Sequence, residues 1–186
     1  MDDADELLRR CQRGDASALA VIVRLYEEPI YRLAYRVMGN AVLAEEATVA
    51  ALAKVWLRAG QWRGDARAGT WIYQLALRTV LDHHRSWRRR WRRWLAPPRD
   101  VPDPRPGPME KMAEAEGRNL ATRRIQEAFA QLSDTDRALA HLYYFEQRSL
   151  AEIAAILGST RDALKTRLAR VRQKLRDLLR DCNELL

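Results

Sequence analysis

Apolar residues recur along this chain every three or four positions and no stretch alternates with period two, so the pattern predicts helices throughout. Asp15 follows Gly14 and can cap a long helix whose apolar face runs Leu19, Val23, Tyr26, Ile30, Leu33 and Val37. Gly39-Asn40 ends it. Pro29 lies inside that run and should kink it or split it in two, because it removes an N–H from the ladder. A third helix, from about Val42 to Ala59, buries Leu43, Ala47, Ala51 and Val55 or their neighbours. The glycine-bearing stretch GQWRGDARAG (60–69) reads as a loop. From Thr70 the helical period resumes through Ile72, Leu75, Ala76, Thr79 and Val80 and continues into HRSWRRRWRRW (84–94).

The stretch LAPPRDVPDPRPGP (95–108) holds six of the seven prolines, so it cannot form a helix interior and reads as an exposed, stiff linker. The predicted organisation is therefore all-α: a helical domain at 1–94, a linker at 95–109 and a second helical domain at 110–186, its first helix starting near Glu110. Ser133 with Asp136 resembles a capping box, and Ser149 with Glu152 has the full signature. A short helix, Leu150 to Leu157, ends at Gly158, which can take the left-handed conformation. Ser159 or Thr160 then caps a helix that buries Leu164, Leu168, Val171 and Leu175 and carries Arg161, Lys165, Thr166, Arg167 and Arg170 on its other faces. A short helix, a glycine turn and a basic second helix make a helix-turn-helix, whose second helix enters a major groove. Its cations can read guanine edges or hold phosphates, and sequence does not divide these roles. Arg172, Arg176 and Arg180 read as phosphate contacts or solvated charge.

Charge sharpens this picture. The net charge of +8 sits in two patches: residues 61–100 carry ten basic and three acidic groups, and residues 161–180 carry eight and two. Local positive charge of this kind is the footprint of a polyanion partner. No apolar run approaches a bilayer span, the acidic start MDDADELLRR is not a signal peptide, and Cys11 and Cys182 read as reduced thiols, so a cytoplasmic location without stable membrane insertion is expected. No phosphate-binding glycine loop or nucleophile–base pair is present, which argues against an enzyme and against a cofactor. His83 and His84 are too close in sequence to share a helix face and His141 is distant, so no metal site is expected. In HRSWRRRWRRW, Trp87, Trp91 and Trp94 form one helical stripe. It could pack on its own domain, extend a phosphate-contacting surface, fill a partner's groove or lie on a membrane surface.

The segment LSDTDRALAHLYYFEQRSLAEIAAILGSTRDALKTRLARVRQKLRDLL (132–179) resembles region 4 of bacterial RNA polymerase sigma factors of the extracytoplasmic-function type. GDASALAVIVRLYEEPIYRLAYRVMGN, AEEAT and WRGDARAGTWIYQLALRTVLDHHR resemble, in order, the parts of region 2. The resemblance implies an alternative sigma factor that binds core RNA polymerase and promoter DNA and is silenced by an anti-sigma factor. It would place Glu45, Glu46, Val49, Leu52 and Trp56 on the polymerase clamp helices. It would place Trp62, Arg63, Arg67, Trp71, Arg78 and Arg85 on the unwound −10 strand, and Thr160, Arg161, Lys165, Thr166, Arg167 and Arg170 on the −35 duplex. The chain departs from the family's usual pattern at Val49 and Ala50, at Ala68 in place of a phenylalanine, at Gly69 in place of an arginine, and at Arg78 in place of an asparagine. The rival classes are a helix-turn-helix regulator that does not engage polymerase, and a protein-docking adaptor.

Overall fold

The computed structural model describes residues 4–94 and 124–180, and for 91–94 the backbone alone. Four helices form the first half: α1 (Ala4–Gln12), α2 (Ala16–Met38), α3 (Ala41–Arg58), a 3-10 turn (Ala59–Gln61) and α4 (Ala68–Trp94). The second half contributes α5 (residues 124–130), α6 (Asp134–Ala140), a π-helical turn (His141–Phe145), α7 (Leu150–Leu157) and α8 (Arg161–Leu179). No strand occurs among the described residues. The linker 95–109 and the expected start of a helix near Glu110 lie outside them.

The boundaries follow local chemistry. Asp15 Oδ1 accepts the N–H groups of Ser17 and Ala18 at 2.9 and 3.3 Å and starts α2. Gly39, at φ +67°, stops it. Asn40 Oδ1 accepts the Leu43 N–H at 3.0 Å and starts α3. Pro29 does not divide α2, which is helical from end to end. Proline deprives the Leu25 carbonyl of its partner, but Leu25 is exposed at 49%, so that lost bond lies on the side facing water while Ile22, Ile30 and Leu33 pack inward. The buried face of α2 is also turned slightly from the predicted one: Ala18 and Ile22 are fully buried, whereas Leu19 and Val23 are half-buried. Helix α4 begins two residues earlier than its periodicity suggests, because Asp5 of α1 accepts the Ala68 N–H at 2.7 Å. That cap comes from 63 residues away.

One apolar cluster fills the space between α1, α2, α3 and the first turns of α4, through Leu7, Leu8, Ile22, Ile30, Val55 and Ile72. The other crosses between the halves. Leu33, Val37, Leu77 and Val80 belong to the same cluster as Leu139, Leu142, Ile153, Leu164 and Leu168. Each such side chain contributes roughly 1.5–3 kcal/mol on burial. The helices on either side of the proline segment therefore share a core instead of holding two separate ones.

Polar groups pin the same seam. Arg137 donates to the Val37 carbonyl at 2.7 Å while also donating to the carbonyls of Phe129 and Leu132. His84 Nδ1 lies 3.1 Å from Asp134 Oδ2, the Tyr73 hydroxyl donates to Glu146 at 3.0 Å, and Gln74 Nε2 donates to the Ala155 carbonyl at 2.6 Å. The Arg148 guanidinium stacks 4.0 Å from the centre of the Tyr73 ring.

These surroundings hold three acid–base groups below their ordinary values, while burial pushes the Tyr73 hydroxyl up to about 12. His84 holds the Asp134 carboxyl below its ordinary range, against partial burial. Glu146 is lowered, first by His141 and then by the Tyr73 hydroxyl, with burial opposing. Burial lowers His141, which is thereby kept neutral, with Glu146 opposing. All three bind protons more readily in the unfolded chain, so stability falls as pH falls. The thermal midpoint, followed by circular dichroism, should begin to drop below about pH 6.5 as unfolded imidazole charges, and more steeply below 4.5 and 3.8 as unfolded carboxylates protonate. Glu146→Gln should lower the neutral-pH midpoint and make the acid limb shallower. A midpoint indifferent to pH across that range would contradict this.

Removing the remote cap by Asp5→Ala should cost about 1 kcal/mol in urea unfolding, the usual value of an N-cap side chain.

Candidate nucleic-acid interface

The second half builds the helix-turn-helix as its sequence predicts. Ser149 and Glu152 form a full capping box at the start of α7. Gly158, at φ +62°, ends it, and the Thr160 hydroxyl accepts the Ala163 N–H at 3.3 Å to start α8. Leu164, Leu168 and Val171 are buried beneath α8, which fixes the outward face. Arg161, Asp162, Lys165, Thr166, Ala169 and Arg170 stand exposed on it, with Thr160 exposed at its start. This set presents cations, a hydroxyl and a carboxylate, donors and acceptors of the kinds that read base edges in a major groove.

The basic residues of α8 divide by geometry. Arg167, expected on the DNA, is half-buried on the side facing α6, and its Nε lies 2.6 Å from Asp136 Oδ1. Asp136 in turn accepts the Ser133 hydroxyl at 2.6 Å. Arg172 donates to the Tyr144 hydroxyl at 2.8 Å and lies over the Tyr143 ring, which raises its affinity for its proton. Lys174 donates to the Gln131 carbonyl at 2.6 Å. These three set the angle of α8 on its support, whereas Arg161, Lys165 and Arg170 face outward.

The residues expected on an unwound strand are similarly sorted. Trp62 is only 6% exposed, its indole N–H donates to the Ala66 carbonyl at 2.8 Å, and Gln12 of α1 donates to its carbonyl. It organises the loop and does not offer a free ring. A cavity of about 260 Å³ beside it is lined by Arg9, Gln12, Arg13, Trp62, Arg63 and Gly64. Arg63 and Arg67 are exposed on the loop. Trp71 is half-buried and Arg78 and Arg85 exposed, so these three make a row along α4 at seven-residue spacing, with Arg85 3.6 Å from Asp82. Two departures noted in the sequence have physical causes here. Ala68 is fully buried, leaving no room for a phenylalanine, and a Cβ on Gly69 would meet the Tyr26 hydroxyl at 3.0 Å.

On α3, Glu46 and Val49 are exposed and Glu45 and Trp56 half-buried, whereas Leu52 is 7% exposed and belongs to the core. Leu52 is therefore removed from the surface set, since its neighbour Ala51 and Val55 lie on the same buried side. Two residues that sequence reasoning missed take its place: Val42 and Leu57 are 60% and 77% exposed. With Val49 they stand on the exposed side of α3, and an apolar residue every seven or eight positions on the polar face was the signal that marks them.

Trp87 is half-buried against the shared core and stacks on His84 with ring centroids 6.1 Å apart, so the first tryptophan of the stripe packs on its own chain. The side chains of Trp91 and Trp94 lie outside the described residues. Arg88, Arg89 and Arg90 are exposed.

Comparison with known proteins bears on both halves. Residues 22–92 match Sigma-70 region 2 and residues 122–175 match Sigma-70, region 4. The chain is 28% identical to the ECF RNA polymerase sigma factor SigW of Bacillus subtilis, covering 94% of this chain and 95% of SigW. It is 31% identical to the ECF RNA polymerase sigma factor SigL of Mycobacterium tuberculosis, covering 83% of this chain and 87% of SigL. The fold resembles that of the sigma factor RpoE of Bartonella quintana, solved in complex with the anti-sigma factor NepR, with a TM-score of 0.70 at 18% identity over 87% of this chain and 96% of that one.

Lys165→Ala should weaken duplex binding and reduce the salt slope by about one, as expected for loss of one DNA-facing cation. Arg167→Ala should weaken binding while also lowering the thermal midpoint, because it leaves Asp136 unpaired. Equal midpoints for the two variants would remove the structural role given to Arg167.

Proposed function

The chain belongs to the ECF RNA polymerase sigma factors of the sigma-70 family, and on that premise we propose how its surfaces divide the work of transcription initiation. As an alternative sigma factor it directs core RNA polymerase to promoters. We assign residues 1–94 to polymerase and the −10 strand, 95–109 to the connection, and 110–186 to the −35 duplex. The apolar row Val42, Val49 and Leu57, flanked by Glu45, Glu46 and Trp56, docks on the polymerase. Arg63, Arg67, Trp71, Arg78 and Arg85 follow the unwound strand, with arginines on the phosphates and the tryptophan available for stacking. Arg161, Lys165, Thr166 and Arg170 enter the major groove of the −35 duplex, with Thr160 at the helix start.

The observation that carries this reading is the pairing of two surfaces in one chain: a basic recognition helix, and an exposed apolar row on a different helix. A DNA-binding regulator needs the first alone, and the second offers a protein partner a place to dock. An anti-sigma factor is assigned as the controlling partner; the similar RpoE was solved in complex with the anti-sigma factor NepR. The location that follows is the cytoplasm, where polymerase and promoter are. No helix among the described residues is long and apolar enough to cross a membrane.

Co-purification with core polymerase tests the assignment directly. The chain should elute with core enzyme and support run-off transcription from its matched promoter. Val49→Glu should abolish co-elution while leaving the circular dichroism spectrum and duplex binding unchanged. Retained co-elution by Val49→Glu would remove α3 as the docking face, and failure of the parent chain to bind core would sink the sigma assignment itself.

A further inference from the structure

The outward face of α8 is not uniformly basic, and phase along the helix separates two kinds of side chain on it. At about 100° of turn per residue, Asp162, Thr166, Ala169 and Gln173 fall within about 60° of one another, nearly opposite the buried Leu164, Leu168 and Val171. They form the central stripe of the exposed surface. Lys165 and Arg170 flank that stripe by about 70° on either side, with Arg161 beyond Lys165.

Within the stripe, one polar side chain is uncommitted. The Thr166 hydroxyl donates back to the Asp162 carbonyl at 3.2 Å. Gln173 donates to Asp177 at 2.9 Å and accepts from Arg176 at 3.1 Å. Ala169 offers only a methyl group. The Asp162 carboxylate is exposed, and among the described residues nothing pairs with it. The start of α8 is already capped by the Thr160 hydroxyl. As a first-turn acid Asp162 also suits the positive end of the helix, a role with no bearing on which base lies opposite.

A helix laid in a major groove turns its central stripe to the base edges and its flanks to the phosphates. A carboxylate placed there loses water between two rows of phosphates, so it needs a donor opposite. Cytosine supplies one in its N4 amino group. Guanine presents acceptors at N7 and O6, and thymine at O4. Adenine has an N6 amino group but sets the N7 acceptor beside it. We propose that Asp162 is the specificity-determining residue of α8, selecting a cytosine of the −35 duplex through its N4 amino group, while Lys165 and Arg170 hold the phosphates on either side. The phosphate contacts set the depth and register at which the carboxylate meets its base. This deepens the assignment of α8 to the −35 duplex and rests on it.

The test is selection by the full chain from duplex DNA carrying a randomised window, run in parallel for the parent, Asp162→Asn, Asp162→Ala and Lys165→Ala. The parent should select a sequence with cytosine at one position, favoured about fivefold or more over guanine and thymine. Asp162→Asn should move that same position to adenine, because an amide accepts from N6 and donates to N7. Asp162→Ala should level the four bases there and leave the other positions as they are. Lys165→Ala should weaken all sequences alike and keep the cytosine. A merely structural contact, once lost, lowers affinity without exchanging one base for another, so the move from cytosine to adenine is the readout particular to this role. A selected sequence left unchanged by both Asp162 variants would overturn the proposal and leave the duplex assignment standing. So would a position that Asp162→Ala levels but that is not cytosine in the parent, or loss of the cytosine in Lys165→Ala. A parent chain that selects no sequence at all would overturn the duplex assignment, and the proposal with it.

Discussion

A guanidinium carried into an apolar seam must have its donors met, and Arg137 meets them on both sides at once. It ties the C-terminal carbonyls of α5 to the turn before α6 and reaches across to Val37 near the end of α2. An unmet buried donor costs about 1–3 kcal/mol, and a charged one more. The register of the second half on the first is therefore fixed by direction as well as by apolar burial. Leu139, Leu142 and Ile153 share one buried cluster with Leu33, Val37 and Val80, and the Arg137 bond to the Val37 carbonyl adds a directional contact to that packing. The five residues from Ser133 to Arg137 consequently touch α2, α4 and α8 together.

Around that seam the charge on α8 is separated by role. A helix bearing seven basic residues within 161–179 could stand as a uniform positive rod. Here Arg167, Arg172 and Lys174 are tied to a carboxylate, a phenol and a carbonyl, and Arg161, Lys165 and Arg170 stand on the outward face. The direction of these cations is thereby defined, which is what base reading needs and mere attraction to phosphate does not. Within the seam, burial keeps His141 uncharged, and the Glu146 carboxylate beside it accepts the Tyr73 hydroxyl.

Much of this was legible in the sequence because it depends on neighbours. Caps at Asp15, Ser149 and Thr160, the stop at Gly158 and the buried row Leu164, Leu168 and Val171 all follow from residues within a turn or two of each other. The family pattern was legible for the same reason, since it is carried by short motifs in order. What escaped is long-range. Asp5 starts a helix 63 residues later, and nothing near Ala68 announces it. Arg167 looked like its neighbours until Asp136 was brought beside it by the packing of α6. Leu52 and Val49 are three residues apart on one helix, yet one is core and the other surface, a distinction that depends on where α4 lies. The π-helical turn at His141–Phe145 leaves no simple mark, since its extra residue is accommodated by packing against Arg36 and Phe129.

Helix α4 runs unbroken for 27 residues from Ala68 to Trp94, about 40 Å at 1.5 Å per residue. Its first turn is set by Asp5 and its last leads into the proline segment, so a single rod joins the loop at 60–67 to the start of that segment. Such a rod carries phase. One residue inserted beyond Trp87 would turn the departure point by about 100° and advance it about 1.5 Å, and only insertions close to a whole number of turns would return it to its original side. The point at which the chain leaves this rod is thus counted out in residues, and this part of the chain should tolerate substitution of its arginines far better than any change in their number.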